Sequence, residues 1–150
     1  MTARAGGDVI YAADVNTRIA TTIRTSDTST VTSTETIADS AAASLVSGEK
    51  YRVKWDVGYT SDTTADTVFL KIREDNVSGT VLTLVRGDVR VTNGAGSRWK
   101  TTAEAEYTAV ATGSKTFVGT YVRASGSGAV KIVAAATYPT YLTVDLVVGN

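Results

Sequence analysis

Acidic side chains are the residues of this chain whose types and spacing could do chemistry. Four of them fall near two predicted loops, which could meet at one end of the fold: Asp62, Asp66, Glu74 and Asp75. Carboxylates bind Ca²⁺ when several oxygens have a fixed spacing, and a pair of them can hydrolyse a glycosidic bond. The Asp-x-Asp-x-Asp-Gly spacing of a calcium loop is missing from the sequence. Solvated turn residues are therefore the favoured interpretation.

Glu104 and Glu106 form a second acidic pair, on one face of a predicted strand. Two like charges at this spacing are expected to meet Lys or Arg across the sheet rather than to share a catalytic proton. The sequence contains neither cysteine nor histidine, which removes thiolate nucleophiles and the commonest general base. We therefore expect no enzymatic activity, no metal ion and no cofactor.

The balance of charges limits the partners that this chain could bind. Lys and Arg number 15, as do Asp and Glu, so the formal net charge is zero. Proteins that bind nucleic acids usually carry an excess of basic residues to neutralise phosphates, so we expect no nucleic-acid partner. The longest apolar run is about six residues, far below the ~20 that a membrane-spanning helix needs, so we expect no membrane insertion.

Trp99 is the aromatic residue with the most unusual surroundings, because it follows a Gly-rich loop and is flanked by Arg98 and Lys100. Such a residue is either an anchor of a subunit interface, where Trp and Arg are enriched, or a platform for a sugar ring. We favour the interface. Tyr107 is a further candidate for the same kind of contact.

The tripeptide Arg86-Gly87-Asp88 is of the integrin-binding type. The same three residues would also suit a tight turn between predicted strands at 80–85 and 88–92, since glycine tolerates positive φ. The turn is the favoured interpretation.

β-Branched residues and short alternating runs predict strands over most of the chain. The clearest is Lys50–Thr60, where Trp55 and Tyr59 lie on the apolar face and are expected in the core. Further predicted strands are 29–37, 67–73, 80–85, 88–92, 104–111, 115–123, 129–136 and 141–148. Asn93-Gly94-Ala95-Gly96 and Gly126-Ser127-Gly128 are expected to be hairpin turns. This pattern predicts an all-β, antiparallel two-sheet sandwich that is jelly-roll-like.

The N-terminal segment differs from the rest of the chain. Residues 1–20 are predicted to form a docking or assembly arm with a short helix, and residues 21–150 the β-sandwich domain. Asp14 would cap the helix, and Val15, Ile19 and Ile23 would share one face at i, i+4 spacing. A helix of about eight residues is not stable alone, so it must pack on its own domain or on a neighbouring subunit. The residues assigned to the arm are Asp8, Val9, Ile10, Tyr11, Asp14, Val15 and Ile19.

Two stretches resemble known proteins. The segment Gly-Asp-Val-Ile-Tyr-Ala-Ala-Asp-Val-Asn (7–16) is similar to a short N-terminal segment of many small structural proteins of tailed bacteriophages. Residues 115–132, followed by Tyr-Pro-Thr-Tyr-Leu-Thr-Val-Asp-Leu (138–146), resemble the last strands of β-sandwich modules in those proteins. The resemblance implies a virion protein, tail-associated or capsid-decorating, that self-associates, often as a trimer.

The sequence thus predicts a non-enzymatic structural protein of the virion, on the particle surface or the tail. Its expected partners are further copies of itself, as a homotrimer, and other phage structural proteins. The alternative is a carbohydrate-binding or receptor-binding module that recognises host surface glycans. The candidate contacts for an interface or a glycan are Arg98, Trp99 and Tyr107.

Overall fold

Nine β-strands form the regular structure of the residues described by this computed structural model, which are 17–63, 65–89 and 97–148. The strands are β1 (Thr17–Arg24), β2 (Thr36–Leu45), β3 (Lys50–Ser61), β4 (Thr67–Glu74), β5 (Val81–Asp88), β6 (Trp99–Thr108), β7 (Gly113–Ser125), β8 (Val130–Ile132) and β9 (Thr140–Leu146). Within these ranges there is no helix that could cross a membrane.

The strands form two antiparallel sheets that pack face to face. One sheet has the order β1–β9–β3–β6, with β8 beside the end of β3, and the other has the order β2–β7–β4–β5. From β1 to β4, each strand lies in the sheet opposite to that of the strand before it. β5 lies beside β4 in the same sheet, and β6 and β7 then alternate between the two sheets again. This order is that of a jelly roll built from two Greek keys. The predicted all-β sandwich is confirmed.

The core lies between the sheets and is centred on β3. Alternation along this strand directs Val53, Trp55 and Val57 inward, each fully buried, so the predicted strand and the core position of Trp55 are confirmed. The indole lies against the backbone of Gly119 on β7, where an added Cβ would come within 2.6 Å of the ring. A residue without a side chain is therefore required at position 119.

The predicted helix is wrong over its described part, because Thr17–Arg24 forms β1. This strand pairs with β9 from Thr17 opposite Leu146 to Arg24 opposite Thr140. Its β-branched residues suit a strand, and long-range pairing outweighs the local helical spacing of Ile19 and Ile23. β1 also crosses the predicted boundary at residue 20. The arm as a separate unit stays a prediction.

Several other strand boundaries differ from the prediction, and the strand expected at 104–111 is β6, Trp99–Thr108. The strand expected at 29–37 begins only at Thr36 and continues through the Ala- and Ser-rich run to Leu45 as β2. Its small inward residues Ala41 and Ala43 fit beneath the opposite sheet and give a weak hydrophobic pattern. The strand expected at 129–136 is only Val130–Ile132.

Neither Gly-rich segment is confirmed as a hairpin turn. Residues 126–128 connect β7 in one sheet to β8 in the other, so the hairpin prediction is wrong there. The segment Asn93-Gly94-Ala95-Gly96 and most of the strand predicted at 88–92 lie outside the described residues.

Candidate functional site

Ile19 is the only one of the seven residues assigned to the arm that lies within the described ranges. It is half-buried in β1 and packs against the core. The other six lie outside the described residues: Asp8, Val9, Ile10, Tyr11, Asp14 and Val15. Ile19 thus belongs to the sandwich, and the contacts of the arm stay a prediction.

Arg98 lies across the outer face of the five-stranded sheet. Its guanidinium carbon is 4.1 Å from the ring centroid of Tyr138, which is a cation–π geometry. Tyr138 is 40% exposed. The pair, which we call the Arg98 stack, therefore gives this face an exposed cation held on an aromatic ring.

Gly58 makes the Arg98 stack possible. It lies on β3, between β6 on one side and the segment that follows β8 on the other. A Cβ at this position would come within 2.8 Å of the Val133 carbonyl oxygen and 3.3 Å of Arg98 Nε. The arginine side chain thus crosses β3 over bare backbone.

Trp99 lies on the other side of the same sheet. It is opposite Tyr59 in the register of β3 and β6 and packs, half-buried, against the core. Its indole Nε1 is buried and finds no acceptor within the described residues. Arg98 and Trp99 therefore do not form one contact surface, although they are neighbours in sequence.

Tyr107 lies at the opposite end of β6 from Trp99. Eight residues separate them along the strand, which corresponds to about 26 Å. Tyr107 packs edge-on against Phe117 of the other sheet, with ring centroids 5.2 Å apart and an interplanar angle of 77°. The structure does not bring Trp99 and Tyr107 together into one aromatic platform.

A groove of about 290 Å³ lies beside the Arg98 stack on the outer face. Its lining comprises Thr30, Thr60, Ser61, Asp62, Ala129 and Lys131. Thr60 is two residues from Gly58 on β3 and faces the same side. Lys131 pairs with Asp27 at 2.7 Å, and its hydrogen bond lowers the pKa of Asp27 below the ordinary value. The groove therefore opens on the same face of the sheet as the Arg98 stack.

Asp62 and Asp66 hold the connection between β7 and β8. Asp66 is 1% exposed and accepts hydrogen bonds from Ser61 Oγ at 2.5 Å, Ser127 N at 3.0 Å and Gly128 N at 3.1 Å. Asp62 accepts one from Ala129 N at 2.8 Å. The prediction that Asp66 is a solvated turn residue is therefore wrong. Its buried carboxylate is hydrogen-bonded to a hydroxyl and to two backbone N–H groups rather than to solvent.

Glu74 and Asp75 lie at the other end of β4 from Asp66, and Glu74 is about 26 Å away along the strand. Both carboxylates pair with Lys115 Nζ at 2.7 Å. The hydrogen bond from this lysine to Asp75, followed in size of effect by the one to Glu74, raises the pKa of Lys115 above its ordinary value. The two acidic loops therefore do not meet at one end of the fold. Across the described ranges, acidic side chains form no group that could hold a metal ion.

Glu104 and Glu106 face solvent on β6, opposite the basic residues of β3. Glu104 Oε1 lies 3.3 Å from Arg52 Nε, and Glu106 is opposite Arg52 in the register. The expected cross-sheet pairing with a basic residue is thus confirmed for Glu104.

Arg86, Gly87 and Asp88 are the last residues of β5 rather than a turn. Arg86 Nε donates to Asp88 Oδ1 at 3.2 Å, so the two charges pair with each other. Gly87 is buried, and a Cβ there would overlap the Tyr59 ring. The predicted turn is wrong because close packing against Tyr59, rather than positive φ, requires this glycine.

Glu35, which no sequence pattern singled out, is the centre of a polar cluster on the outer face of the four-stranded sheet. Its carboxylate accepts hydrogen bonds from Lys71 Nζ and Arg73 Nε, both at 2.6 Å, and from Thr120 Oγ1 at 2.5 Å. Burial alone would raise the pKa of Glu35, but the hydrogen bonds from Arg73, Lys71 and Thr120 lower it to about 2. Nothing in the local sequence marks this residue, because its partners are distant in the chain.

Asp39 was also missed, because it lies in an apolar run of small residues. It is 3% exposed and accepts hydrogen bonds from Trp55 Nε1 at 2.7 Å, Arg24 Nε at 2.9 Å and Thr140 Oγ1 at 3.0 Å. It borders a polar groove of about 420 Å³ between β1 and β2. This buried carboxylate ties the two sheets together and has no acidic neighbour in the groove.

No protein-family model and no curated protein sequence matches this chain. Solved structures do resemble its fold. A family 6 carbohydrate-binding module is 15% identical, with a TM-score of 0.40 over 81% of this chain and 92% of that one. The xylan-binding domain CBM22-1 of Paenibacillus barcinonensis Xyn10C is 10% identical, with a TM-score of 0.38 over 99% of this chain and all of that one.

The VP2 subviral particle of infectious bursal disease virus provides another similar structure. It is 10% identical, with a TM-score of 0.47 over 99% of this chain. This chain spans only 43% of that protein. At such identities the likeness concerns the β-sandwich fold alone.

Proposed function

We propose that this chain is a non-enzymatic structural protein of a tailed-bacteriophage particle, either tail-associated or capsid-decorating. The observation that carries the proposal is that most of the candidate catalytic carboxylates are bound to other groups of the fold. Five of the six acidic residues that could do chemistry have structural partners: Asp62, Asp66, Glu74, Asp75 and Glu104. These acidic groups stabilise the jelly roll and are not grouped for catalysis. A domain of this kind is suited to binding and assembly.

The resemblance of residues 7–16 and 138–146 to phage structural proteins supports the choice of particle. In the proposed arrangement the arm docks the sandwich to the particle or links neighbouring subunits, and the expected assembly is a homotrimer. β1, into which the arm leads, is an edge strand of its sheet. The arm would therefore leave the domain at its periphery, where it can reach another protein.

The test compares the mass in solution of the full chain with that of a chain starting at Thr17. Thr17 is the first residue of β1, so this truncation keeps the strand intact. Light scattering should give a multiple of three chains for the full chain and a smaller species, no longer a multiple of three, for the truncated one. Equal masses for the two chains would contradict an assembly role for the arm.

A glycan-binding role is the second candidate, and the outer groove beside the Arg98 stack favours it. This surface combines an exposed aromatic ring, a cation and a groove of about 290 Å³. Calorimetric titration with host surface glycans tests this role. Tyr138→Ala should abolish binding, whereas Tyr107→Ala, at the other end of the sheet, should not. Equal loss in both variants would contradict a site at the groove.

A further inference from the structure

β6 is an edge strand of the five-stranded sheet. β6 pairs with β3 on one side, and within the described residues no strand lies on its other side. Its ten residues keep one continuous register, from Trp99 opposite Tyr59 to Thr108 opposite Lys50. A long, regular edge of this kind presents a row of backbone donors and acceptors to another strand.

The other edges of the two sheets are modified in ways that discourage pairing. On β2, the carbonyl of Ser40 accepts from Thr22 Oγ1 at 2.6 Å and that of Ala38 accepts from Arg24. The pairings of β1 and of β5 with their neighbours each contain a register shift. Irregularities and covered edges prevent strand addition in many proteins. Among the described strands, β6 lacks both features.

The outward side chains of β6 and the residue before it reverse in charge about Thr102. Arg98 and Lys100 precede this residue, and Glu104 and Glu106 follow it at the same spacings. The side chains at 98, 100, 102, 104 and 106 are all exposed. When two copies of such a strand lie antiparallel with Thr102 opposite Thr102, each cation faces an anion.

We propose that two copies of this chain associate through antiparallel pairing of their β6 edges about Thr102. Lys100 then faces Glu104 of the partner subunit, and Arg98 must leave the Tyr138 ring to face Glu106 of the partner subunit. Both pairs occur twice by symmetry, which gives four opposite-charge pairs. Centring the pairing on Thr101 or Ala103 instead would give only two opposite-charge pairs.

The intrachain ion pairs leave these charges available. Within the described residues, Arg98, Lys100 and Glu106 make no ion pair, although Arg98 lies on Tyr138 and Lys100 attracts Asp56 through space. Glu104 has one partner, Arg52 at 3.3 Å. Lys100 and Glu104 of one copy are about 13 Å apart along the strand and cannot neutralise each other. Charges of a single sign along β6 would repel the β6 edge of a second copy, whereas two cations followed by two anions attract it.

This contact does not depend on the proposed phage role. It has two-fold symmetry, so it joins chains in pairs, and the expected trimer must use a different surface. Its failure is therefore distinguishable from the failure of the arm, which is tested by truncation at Thr17.

Disulfide trapping tests the contact directly, because the chain contains no cysteine. Opposed residues of antiparallel strands have Cα atoms about 4.5–5.5 Å apart, within the range that a disulfide spans. Thr102→Cys in the full chain should therefore give a covalent dimer on mild oxidation. Thr108→Cys is the control, because two such residues would be about 40 Å apart in this pairing. Failure of Thr102→Cys to cross-link, or equal cross-linking of both variants, would overturn the proposal.

Charge reversal supplies a second test. Lys100→Glu turns two attractive pairs into repulsive ones and should weaken dimerisation at least about tenfold in sedimentation equilibrium. The double variant Lys100→Glu/Glu104→Lys restores opposite charges and should recover the dimer. Thermal unfolding of each variant checks that it is folded. An unchanged dimer in Lys100→Glu, or no recovery in the folded double variant, would overturn the proposal.

Discussion

Trp55 donates its indole N–H to Asp39 Oδ2 over 2.7 Å, and the two residues are 0% and 3% exposed. The bond joins β3 of one sheet to β2 of the other at the centre of the sandwich. Arg24 and Thr140 donate to the same carboxylate. A single buried acid therefore satisfies donors from three strands besides its own.

Asp39→Ala should destabilise the fold by about 2–4 kcal/mol, because it leaves the buried indole N–H and the Arg24 cation without an acceptor. Urea unfolding gives the free energy of unfolding. Asp88→Ala is the matched control, since its side chain is 55% exposed and pairs with Arg86. The control should lose at most about 1 kcal/mol. Equal losses in the two variants would show that Asp39 is not the tie between the sheets.

The pKa of Glu35 predicts how stability depends on pH. A carboxyl whose pKa is lower in the folded than in the unfolded chain stabilises the fold above its unfolded-state pKa. That stabilisation is lost as the pH falls through the folded-state pKa. For Glu35 the window runs from about 4.5 down to about 2.

Glu35→Gln should therefore be less stable than the natural chain at neutral pH, by at most about 3 kcal/mol. The difference should shrink as the pH falls through this window. Urea titrations of both chains between neutral pH and pH 2 measure it. A difference that stays constant over the whole range would contradict the ion-paired state of Glu35.

Gly119→Ala should cost about 1–3 kcal/mol, because the added methyl would come within 2.6 Å of the Trp55 ring. The atoms in closest contact belong to the fused part of the indole, which phenylalanine lacks. Trp55→Phe should therefore make Gly119→Ala less costly. A double-mutant cycle measures this coupling, and strict additivity would contradict direct contact.

Asp66→Ala should release the connection between β7 and β8, since Ser127 N and Gly128 N lose their acceptor. We expect a loss of about 1–3 kcal/mol and faster amide exchange at residues 126–129. Asp75→Ala serves as the control, because its side chain is 53% exposed and Glu74 still pairs with Lys115. Unchanged exchange at 126–129 would contradict this role for Asp66.

The sequence predicted the parts of the fold whose pattern is local. β3 alternates apolar and polar residues over its whole length, and that pattern alone places Trp55 in the core. The sequence predicts part of a helix where β1 forms, because Ile19 and Ile23 fit a helical spacing as well as a strand. Its partner β9 lies at the other end of the chain, and only this pairing decides between the two structures.

The site residues were harder to predict for the same reason. Arg98 and Trp99 are adjacent in the sequence, but strand alternation directs them to opposite faces, and Arg98 finds Tyr138 only because Gly58 lets it pass. Glu35 and Asp39 have partners on strands far along the chain. No local motif marks residues of this kind.

The most direct test of the central claim is the protein content of purified virus particles whose genome encodes this chain. Mass spectrometry of density-purified particles should detect the chain in multiple copies per particle, and antibodies to the sandwich should label the particle surface or the tail. A chain found in the cell lysate but absent from the particles would contradict the proposed role as a structural protein of the virion.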